Sequence, residues 1–272
     1  MNVNDFYPYL IKWSLQPDGE PIITPSSELL PVRYQGKPAM LKIAKTEEEQ
    51  RGFLLLLFWH GQGAVQVFEH ENAVILMERA LGNRSLVTMA TEGQDSEATH
   101  IICHVVNKLH QSHNLSLPSE LVPLNIWFRA LEPMANQHGG LFQEAWLVSQ
   151  ELLKNQQDVT ALHGDIHHGN VLDFGEHGWQ VIDPKGLVGE RIFDFANILC
   201  NPTFQIATKP HRLKEQAMLI TQWADIDYIR LLKWIFVYSA LSASWHLEDG
   251  TSPELSLTVA AIARQELHCK KK

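Results

Sequence analysis

The stretch of this sequence best suited to chemistry is residues 162–186, LHGDIHHGNVLDFGEHGWQVIDPKG, which contains four His, three Asp and one Asn. Three interpretations are open. The stretch could be a metal site built from His163, His167 and His168, a hairpin with a purely structural role, or the catalytic loop of an enzyme. The spacing of its oxygen-bearing side chains and the surrounding elements must decide among them.

Two strand-like segments, 171–174 and 179–183, flank the glycine-bounded turn 175–178 and predict a β-hairpin. If the hairpin is symmetric about this turn, Asn170 faces Asp183, with the two Cβ atoms about 4.5–5.5 Å apart. An amide oxygen and a carboxylate at that separation suit Mg²⁺, which prefers oxygen ligands and shares its coordination shell with water and phosphates.

Asp165 lies five residues before Asn170, in the loop that begins at His163, and can reach the same end of the hairpin. Phosphoryl transfer needs such a carboxylate, because one group must accept the hydroxyl proton while cations neutralise the phosphates. The pattern H-x-D-x-x-x-x-N, followed by a hairpin and an Asp, matches the kinase catalytic loop. Phosphoryl transfer is therefore the favoured interpretation.

The other two interpretations explain less of the pattern. Adjacent histidines on a strand point to opposite faces, and no Cys lies near them, which disfavours a histidine metal site. A purely structural hairpin accounts for the strands but leaves the Asp, Asn and Asp spacing unexplained.

The elements that must position this loop change in character near residues 78–82. Before that point, strand-like runs at 29–34 and 38–43 surround a Gln-Gly turn, Thr46 opens a capping-box helix over 46–59, and two further strand-like runs follow. After it, apolar residues recur at helical spacing over 96–112, 140–156, 211–222 and 225–247. The hairpin at 171–183 is predicted to be a single β island in this helical part.

This change predicts an α+β chain with two lobes, residues 1–79 and residues 80–272. The first is an antiparallel β-sheet lobe with one main helix, and the second is a mostly helical lobe that carries the hairpin.

The formal net charge of −9 argues against nucleic acid as a partner. The N-terminal residues lack a signal-peptide pattern and no apolar run is long enough to span a bilayer, so we expect no membrane association and a cytoplasmic location.

The segments HGDIHHGNVL and VIDPKGLVGERIFDFAN resemble the aminoglycoside phosphotransferase family, within the protein-kinase-like fold. They are most similar to its streptomycin 6-phosphotransferase and hydroxyurea kinase branch. The resemblance extends to the strand with Lys42, the helix after it, and the Ser-Ala-Ser-Trp segment at 242–245, so that it covers nearly the whole chain. It implies a bilobal kinase that uses ATP and Mg²⁺.

Carried over by position, the resemblance implies that Asp165 is the catalytic base and that Asn170 and Asp183 hold Mg²⁺. Lys42 would pair with the α- and β-phosphates. Glu49 would fix Lys42 from the helix; alternatively, Glu49 completes the capping box, and Glu48 is then the partner of Lys42.

Around this centre, Met77, Glu78 and Ala80 would belong to the hinge that receives adenine. The resemblance further implies that His163 and Asp194 brace the loop rather than react. Lys185 could contact phosphate, but a solvated lysine is the favoured interpretation, and the roles of His167 and His168 stay open.

Departures from the family pattern also carry information. No Gly-x-Gly-x-x-Gly precedes Lys42, and the corresponding turn would lie near 24–28. A Walker A motif is absent from the sequence, which excludes a P-loop enzyme. Asp183 is followed by Pro-Lys rather than Phe-Gly, so a mobile switch of the protein-kinase type is not expected.

A cationic acceptor would need carboxylates and aromatic faces, and Glu190, Trp245, Glu248 and Asp249 are the candidates. Asp249 with Gly250 could instead be no more than a helix-ending turn.

The predicted activity is phosphorylation of a hydroxyl on a streptomycin-like aminoglycoside or on hydroxyurea, with drug resistance as the role. The alternatives are a metabolic kinase for a sugar, choline or amino alcohol, and a non-catalytic nucleotide- or metal-binding module. The oligomeric state stays open.

Overall fold

The N-terminal part of the chain folds into an antiparallel sheet with one long helix against it. The computed structural model describes residues 5–111 and 116–269. The elements of this part are α1 (Tyr7–Lys12), β1 (Gln16–Pro17), β2 (Ile22–Ile23), β3 (Ser27–Tyr34), β4 (Lys37–Ala44), α2 (Glu47–Trp59), β5 (Val67–Glu71) and β6 (Val74–Glu78). In the sheet the strands follow the order β1-β3-β4-β6-β5, and β2 pairs with β3.

Helix α2 begins at the predicted N-cap. The Thr46 side chain accepts a hydrogen bond from the Glu49 backbone N–H, which satisfies one of the free donors of the first turn. The helix ends where His60 adopts a left-handed conformation with φ 47°. Its last residue, Trp59, is buried and stacks on the His163 ring with centroids 6.4 Å apart. The helix therefore contacts the loop that the sequence marks as catalytic.

The C-terminal part is mainly helical, as predicted. Its central element is helix α10 (Tyr228–Glu248), which is buried along most of its length and packs against α7 (Gly140–Lys154) and α11 (Glu254–Cys269). No helix in the two described ranges is both long and apolar enough to cross a membrane. The elements are α3 (Leu86–Thr91), α4 (Asp95–His110), β7 (Val122–Pro123), α5 (Leu124–Trp127), α6 (Leu131–His138), α7 (Gly140–Lys154), β8 (Val159–Leu162), β9 (Val171–Asp173), β10 (Trp179–Val181), β11 (Leu187–Glu190), α8 (Phe204–Ala207), α9 (Arg212–Ala224), α10 (Tyr228–Glu248) and α11 (Glu254–Cys269).

The predicted single β island in the helical part is wrong. In addition to the hairpin β9–β10, a second small sheet with the order β7-β11-β8 lies in this part of the chain. Its strands β8 and β11 are antiparallel to each other. Along the chain, β8 immediately precedes the candidate catalytic segment and β11 immediately follows it. Strands this short show too little alternation to be recognised from their sequence pattern.

The register of the hairpin also differs from the prediction. Val171 pairs with Val181 and Asp173 pairs with Trp179, so Asn170 does not face Asp183. The prediction assumed a four-residue turn, whereas the Phe174 N–H donates to Gly178 O at 2.8 Å and leaves a three-residue turn. A slip of one residue follows, and it exchanges the faces of the paired side chains.

Candidate active site

A buried lysine connects the two parts of the chain at the site. Lys42 on β4 is 2% exposed, and its Nζ lies 2.5 Å from Glu49 Oε2 and 2.8 Å from Asp183 Oδ1. The Glu49 carboxylate also accepts from Ser26 Oγ at 2.8 Å, while only its backbone N–H serves the cap at Thr46. Of the two partners considered for Lys42, the structure places Glu49 and not Glu48 against it.

The Asp165 carboxylate is held by amide side chains. Asn197 Nδ2 donates to Asp165 Oδ1 at 2.9 Å, and Asn170 Nδ2 donates to the Asp165 backbone oxygen at 2.9 Å and to Oδ2 at 3.4 Å. Asn201 Nδ2 in turn donates to the backbone oxygen and to Oδ1 of Asn197, both at 3.0 Å. Sequence reasoning missed Asn197, whose available signal was its position three residues after Asp194 in the quoted motif.

The backbone of the loop is fixed from below by Asp194. Its carboxylate accepts from the N–H of His163 at 3.0 Å, from the N–H of Gly164 at 2.8 Å and from His110 Nε2 at 2.9 Å. His163 Nε2 donates to Ile182 O at 2.8 Å and its Nδ1 accepts the Asp165 N–H at 3.2 Å. Both ring nitrogens are thus in use, and burial lowers the pKa of His163, which keeps the ring neutral.

The neighbouring histidines do not form a metal centre. His167 Nδ1 accepts the Gly169 N–H at 3.0 Å, so the proton lies on Nε2, which is 4.0 Å from Asp165 Oδ2. His168 is buried, and burial, followed by the nearby Arg212 charge, lowers its pKa to about 3. Within residues 5–111 and 116–269, no group of three or more His, Cys, Asp and Glu could hold a metal ion. The histidine metal-site interpretation is therefore wrong.

The oxygen donors near Asp165 do fit Mg²⁺. Asn170 uses its amide nitrogen toward Asp165, and Asp183 uses one carboxylate oxygen toward Lys42, which leaves each with an oxygen for a hard cation. The Asp183 side chain is 40% exposed, and its backbone has a left-handed φ of 57°, uncommon for a residue other than glycine. With so few protein oxygens, phosphates and water would complete the coordination shell.

Lys185 is not a solvated lysine, so the interpretation favoured from the sequence is wrong. Its Nζ lies 2.9 Å from Glu48 Oε1, and its side chain is 29% exposed. Burial alone would lower the pKa of Lys185, but the hydrogen bond to Glu48 and the charges of Glu48, Asp165 and Glu49 outweigh it and raise that pKa. Lys185 is consequently a second fixed cation beside Asp165.

Comparison with known proteins identifies the family of this chain. The sequence model of the aminoglycoside/hydroxyurea antibiotic resistance kinase family matches residues 12–250. The chain belongs to this family. A streptomycin 3''-kinase of Klebsiella pneumoniae is 42% identical over 265 residues, covering 94% of this chain and 99% of that protein. A streptomycin 6-kinase of Streptomyces griseus is 28% identical over 261 residues, covering 88% of this chain and 81% of that protein.

Solved structures agree with this assignment at the level of the fold. A thermostable mutant of an aminoglycoside phosphotransferase, in a ternary complex with ADP and hygromycin B, superimposes with a TM-score of 0.59 at 14% identity. The match covers 99% of this chain and 97% of that structure. The predicted α+β fold of the aminoglycoside phosphotransferases is thereby confirmed for this kinase.

The predicted hinge residues lie at the end of β6, which contains Met77 and Glu78, and just after it, where Ala80 follows. The Glu78 N–H donates to Gln66 O at 2.9 Å, and its carboxylate accepts from His177 Nδ1 at 2.7 Å. The Glu78 N–H and Oε1 are therefore paired within the protein, whereas its buried Oε2 has no partner among the described residues; Met77 is buried at the end of β6 and Ala80 is half-buried. A cavity of about 350 Å³ lies beside these residues, lined in part by Glu78, Phe174 and His177.

On the acceptor side, the structure separates the four candidates. Glu190 is completely buried and binds Arg230 Nε at 2.5 Å and Trp234 Nε1 at 2.9 Å, so its predicted contact with the acceptor is wrong. Trp245 is half-buried and packs edge-to-face on Trp127 with centroids 5.4 Å apart. The remaining candidates, Glu248 and Asp249, are exposed at the C-terminal end of α10.

Proposed function

We propose that this kinase transfers the γ-phosphoryl group of ATP to a hydroxyl of streptomycin, in the 3'' position. The observation that carries the proposal is the joint placement of Lys42, Glu49 and Asp183 beside an Asp165 whose carboxylate is held by Asn197 and Asn170. The choice of hydroxyl rests on the greater similarity to the streptomycin 3''-kinase, at 42% identity, than to the 6-kinase, at 28%.

In this proposal Asp165 accepts the proton of the acceptor hydroxyl as the hydroxyl oxygen bonds to the γ-phosphorus and the bond from that phosphorus to the bridging oxygen of the leaving ADP breaks. The hydrogen bond from Asn197 to Oδ1 fixes the orientation of the Asp165 carboxylate, and with it the direction of the oxygen lone pairs that stay free. Lys42, itself held by Glu49, stabilises negative charge on the α- and β-phosphates. Asn170 and Asp183 would hold Mg²⁺, which when bound neutralises charge on the transferring phosphoryl group.

His163 and Asp194 keep the base in place without touching the reactants. The Asp194 carboxylate receives the N–H groups of His163 and Gly164, and the neutral His163 ring ties the loop to Ile182. Such supporting hydrogen bonds hold a catalytic group within a fraction of an ångström of its working position. Support for these roles comes from the geometry together with the family's motif.

On the acceptor side, we propose that Trp245, Glu248 and Asp249 face the drug, with the aromatic ring under a sugar and the carboxylates near its cationic groups. Residues 1–79 would form the nucleotide-binding lobe and residues 80–272 the catalytic and acceptor-binding lobe. The hinge formed by Met77, Glu78 and Ala80 would receive adenine from ATP. We place the enzyme in the cytoplasm, where ATP is available.

The test is product analysis. Purified kinase is incubated with ATP and Mg²⁺ and, separately, with streptomycin, hydroxyurea and choline, and the products are analysed by mass spectrometry and by NMR for the position of the phosphate. We expect streptomycin to gain one phosphoryl group on the 3'' hydroxyl. Phosphate on the 6 hydroxyl would overturn the choice of position, and turnover of choline without streptomycin would overturn the drug substrate.

A second measurement addresses the resistance role. Expression of the kinase in a streptomycin-sensitive bacterium is expected to raise the minimal inhibitory concentration, because a phosphate added to the drug opposes the positive charge with which it binds RNA. The Asp165→Asn variant, expressed at the same level, serves as the control. Equal inhibition of the two strains would contradict the role.

A further inference from the structure

Helix α2 contains a glycine in its interior where its sequence would otherwise favour a helix-forming residue. Gly52 is buried, and a Cβ atom added to it would lie 2.2 Å from the backbone oxygen of Pro184. Glycine weakens a helix interior because it loses more conformational freedom on folding than other residues. Its presence here is explained by close contact between the helix backbone and the loop that follows Asp183.

Two further contacts join the same helix face to the same loop. Gly186 has a left-handed φ of 73°, and a Cβ atom added to it would lie 2.6 Å from Arg51 Cβ. Lys185 Nζ binds Glu48 Oε1 at 2.9 Å. Because Glu48, Arg51 and Gly52 lie three and four residues apart, they share one side of the helix. We call this side the docking face of α2.

The loop is held from its other side by the catalytic segment. The Lys185 N–H donates to His163 O at 2.7 Å, and a Cβ atom on Gly164 would lie 3.2 Å from Lys185 Cβ. Asp183, at the start of the loop, reaches Lys42, which Glu49 holds from α2. The position of α2 and the position of Asp183 are therefore fixed by one another.

We propose that Gly52 is a positioning residue. Its backbone contact with Pro184 fixes the position of the neighbouring Asp183, whose carboxylate would bind the Mg²⁺ of the nucleotide. The docking face holds α2 against the loop that begins at Asp183. This inference rests on the proposed phosphotransferase function. It assigns to Gly52 and to the Glu48–Lys185 ion pair a purpose that neither helix formation nor a surface ion pair explains.

The test uses Gly52→Ala, with Gln50→Ala as the matched control on the exposed side of the same helix. Isothermal titration measures ADP affinity with Mg²⁺ and with EDTA, and the ratio gives the affinity gained from the metal. We expect Gly52→Ala to reduce this gain about tenfold or more, as for other supporting residues around a metal. Gln50→Ala should match the wild type.

Glu48→Gln provides a second route if the alanine variant fails to fold. It keeps the shape of the side chain, removes the charge that binds Lys185, and is expected to reduce the metal-dependent gain in the same direction. Circular dichroism and the unfolding midpoint are recorded for each variant. A lowered midpoint with an unchanged metal-dependent gain would show a structural role alone and would overturn the inference.

These titrations contain no acceptor, so they separate the inference from the proposed function. Wild-type kinase that gains ADP affinity with Mg²⁺ but phosphorylates no acceptor would contradict the proposed substrate, and the Gly52 comparison would still decide the positioning role. Wild-type kinase without a metal-dependent gain would overturn the inference directly.

Discussion

At the scale of single residues, the Asp165 carboxylate is oriented by the amide side chains that contact it. Asn197 occupies Oδ1, Asn170 contacts Oδ2 at 3.4 Å, and the Nε2–H of His167 lies 4.0 Å away. The side chain is only 28% exposed, so solvent supplies few competing hydrogen bonds. As the proposed base, Asp165 would meet an acceptor hydroxyl without a reorientation step.

Replacement of Asp165 by Asn is expected to remove the proton acceptor while it preserves the size of the side chain. The turnover number should fall about 10²–10⁴-fold, with the affinity for MgADP changed little. Steady-state kinetics and titration calorimetry measure the two quantities. Asp158→Asn, at an exposed carboxylate before β8, is the control and should retain full turnover. Equal turnover of Asp165→Asn and wild type would disprove the mechanism.

His168 makes the fold sensitive to acid. Burial lowers its pKa to about 3 from an ordinary value of 6.5, and both ring nitrogens lack a hydrogen-bond partner among the described residues. Between these two pKa values, the unfolded chain binds a proton that the folded chain excludes. Stability contributed by the neutral ring is therefore lost as pH falls through 6.5.

We expect the free energy of unfolding of the wild type to fall by about 2 kcal/mol more than that of His168→Leu between about pH 7 and about pH 5. Urea unfolding at both pH values measures the difference. His138→Leu, at an exposed histidine of α6, is the control and should follow the wild type. Parallel curves for wild type and His168→Leu would show that His168 does not carry the effect.

At the scale of elements, Glu190 joins the end of β11 to helix α10. Its carboxylate is completely buried and binds the Arg230 guanidinium and the Trp234 indole N–H, both on α10. It also accepts the Gln157 N–H at 3.2 Å, and this bond attaches the turn before β8 to the same carboxylate. The residue that looked suited to a cationic drug thus holds the small sheet against the central helix.

Glu190→Ala is expected to lower the free energy of unfolding by about 3 kcal/mol, because it leaves the partly buried Arg230 without its carboxylate. The KM for streptomycin should not change. Glu248→Gln, at the exposed end of the same helix, should show the reverse pattern of unchanged stability and raised KM. Chemical denaturation and steady-state kinetics test both, and a raised KM without lost stability in Glu190→Ala would restore its substrate role.

Long periodic elements and local motifs could be predicted from the sequence. The capping residue Thr46, the hairpin of β3 and β4, and helices α4, α7, α9 and α10 all occur where the patterns place them. The residues 112–115, part of which lies in the predicted helix 96–112, are outside the described residues. These elements depend on spacing within one segment, which the sequence displays directly.

Features that depend on contacts between distant segments could not be predicted. Asn197 reaches Asp165 across 32 residues and His110 reaches Asp194 across 84, and neither partner is marked by local spacing. The hairpin register depended on whether Gly178 belongs to the turn or pairs with Phe174, which composition does not decide. Glu190 was misassigned because its burial follows from the packing of α10.

At the scale of the whole molecule, negative charge is concentrated where cations are expected to bind. Four carboxylates at the site, those of Glu48, Glu49, Asp165 and Asp183, face the two ammonium groups of Lys42 and Lys185. An excess of two negative charges remains, which suits a divalent cation. The chain as a whole carries a formal charge of −9, so its field would attract the proposed cationic acceptor from a distance.

The proposed streptomycin substrate should therefore bind in a salt-dependent manner. As NaCl rises from about 20 mM to about 200 mM, screening shortens the reach of the protein's field to less than about 10 Å. We expect kcat/KM for streptomycin to fall about threefold to tenfold over this range. The kcat/KM for MgATP should not fall, because MgATP is an anion and salt screens its repulsion from the acidic protein. Unfolding midpoints at both salt concentrations verify that the fold is intact. An equal decline for both substrates would indicate general inhibition by salt and would refute electrostatic attraction of the acceptor.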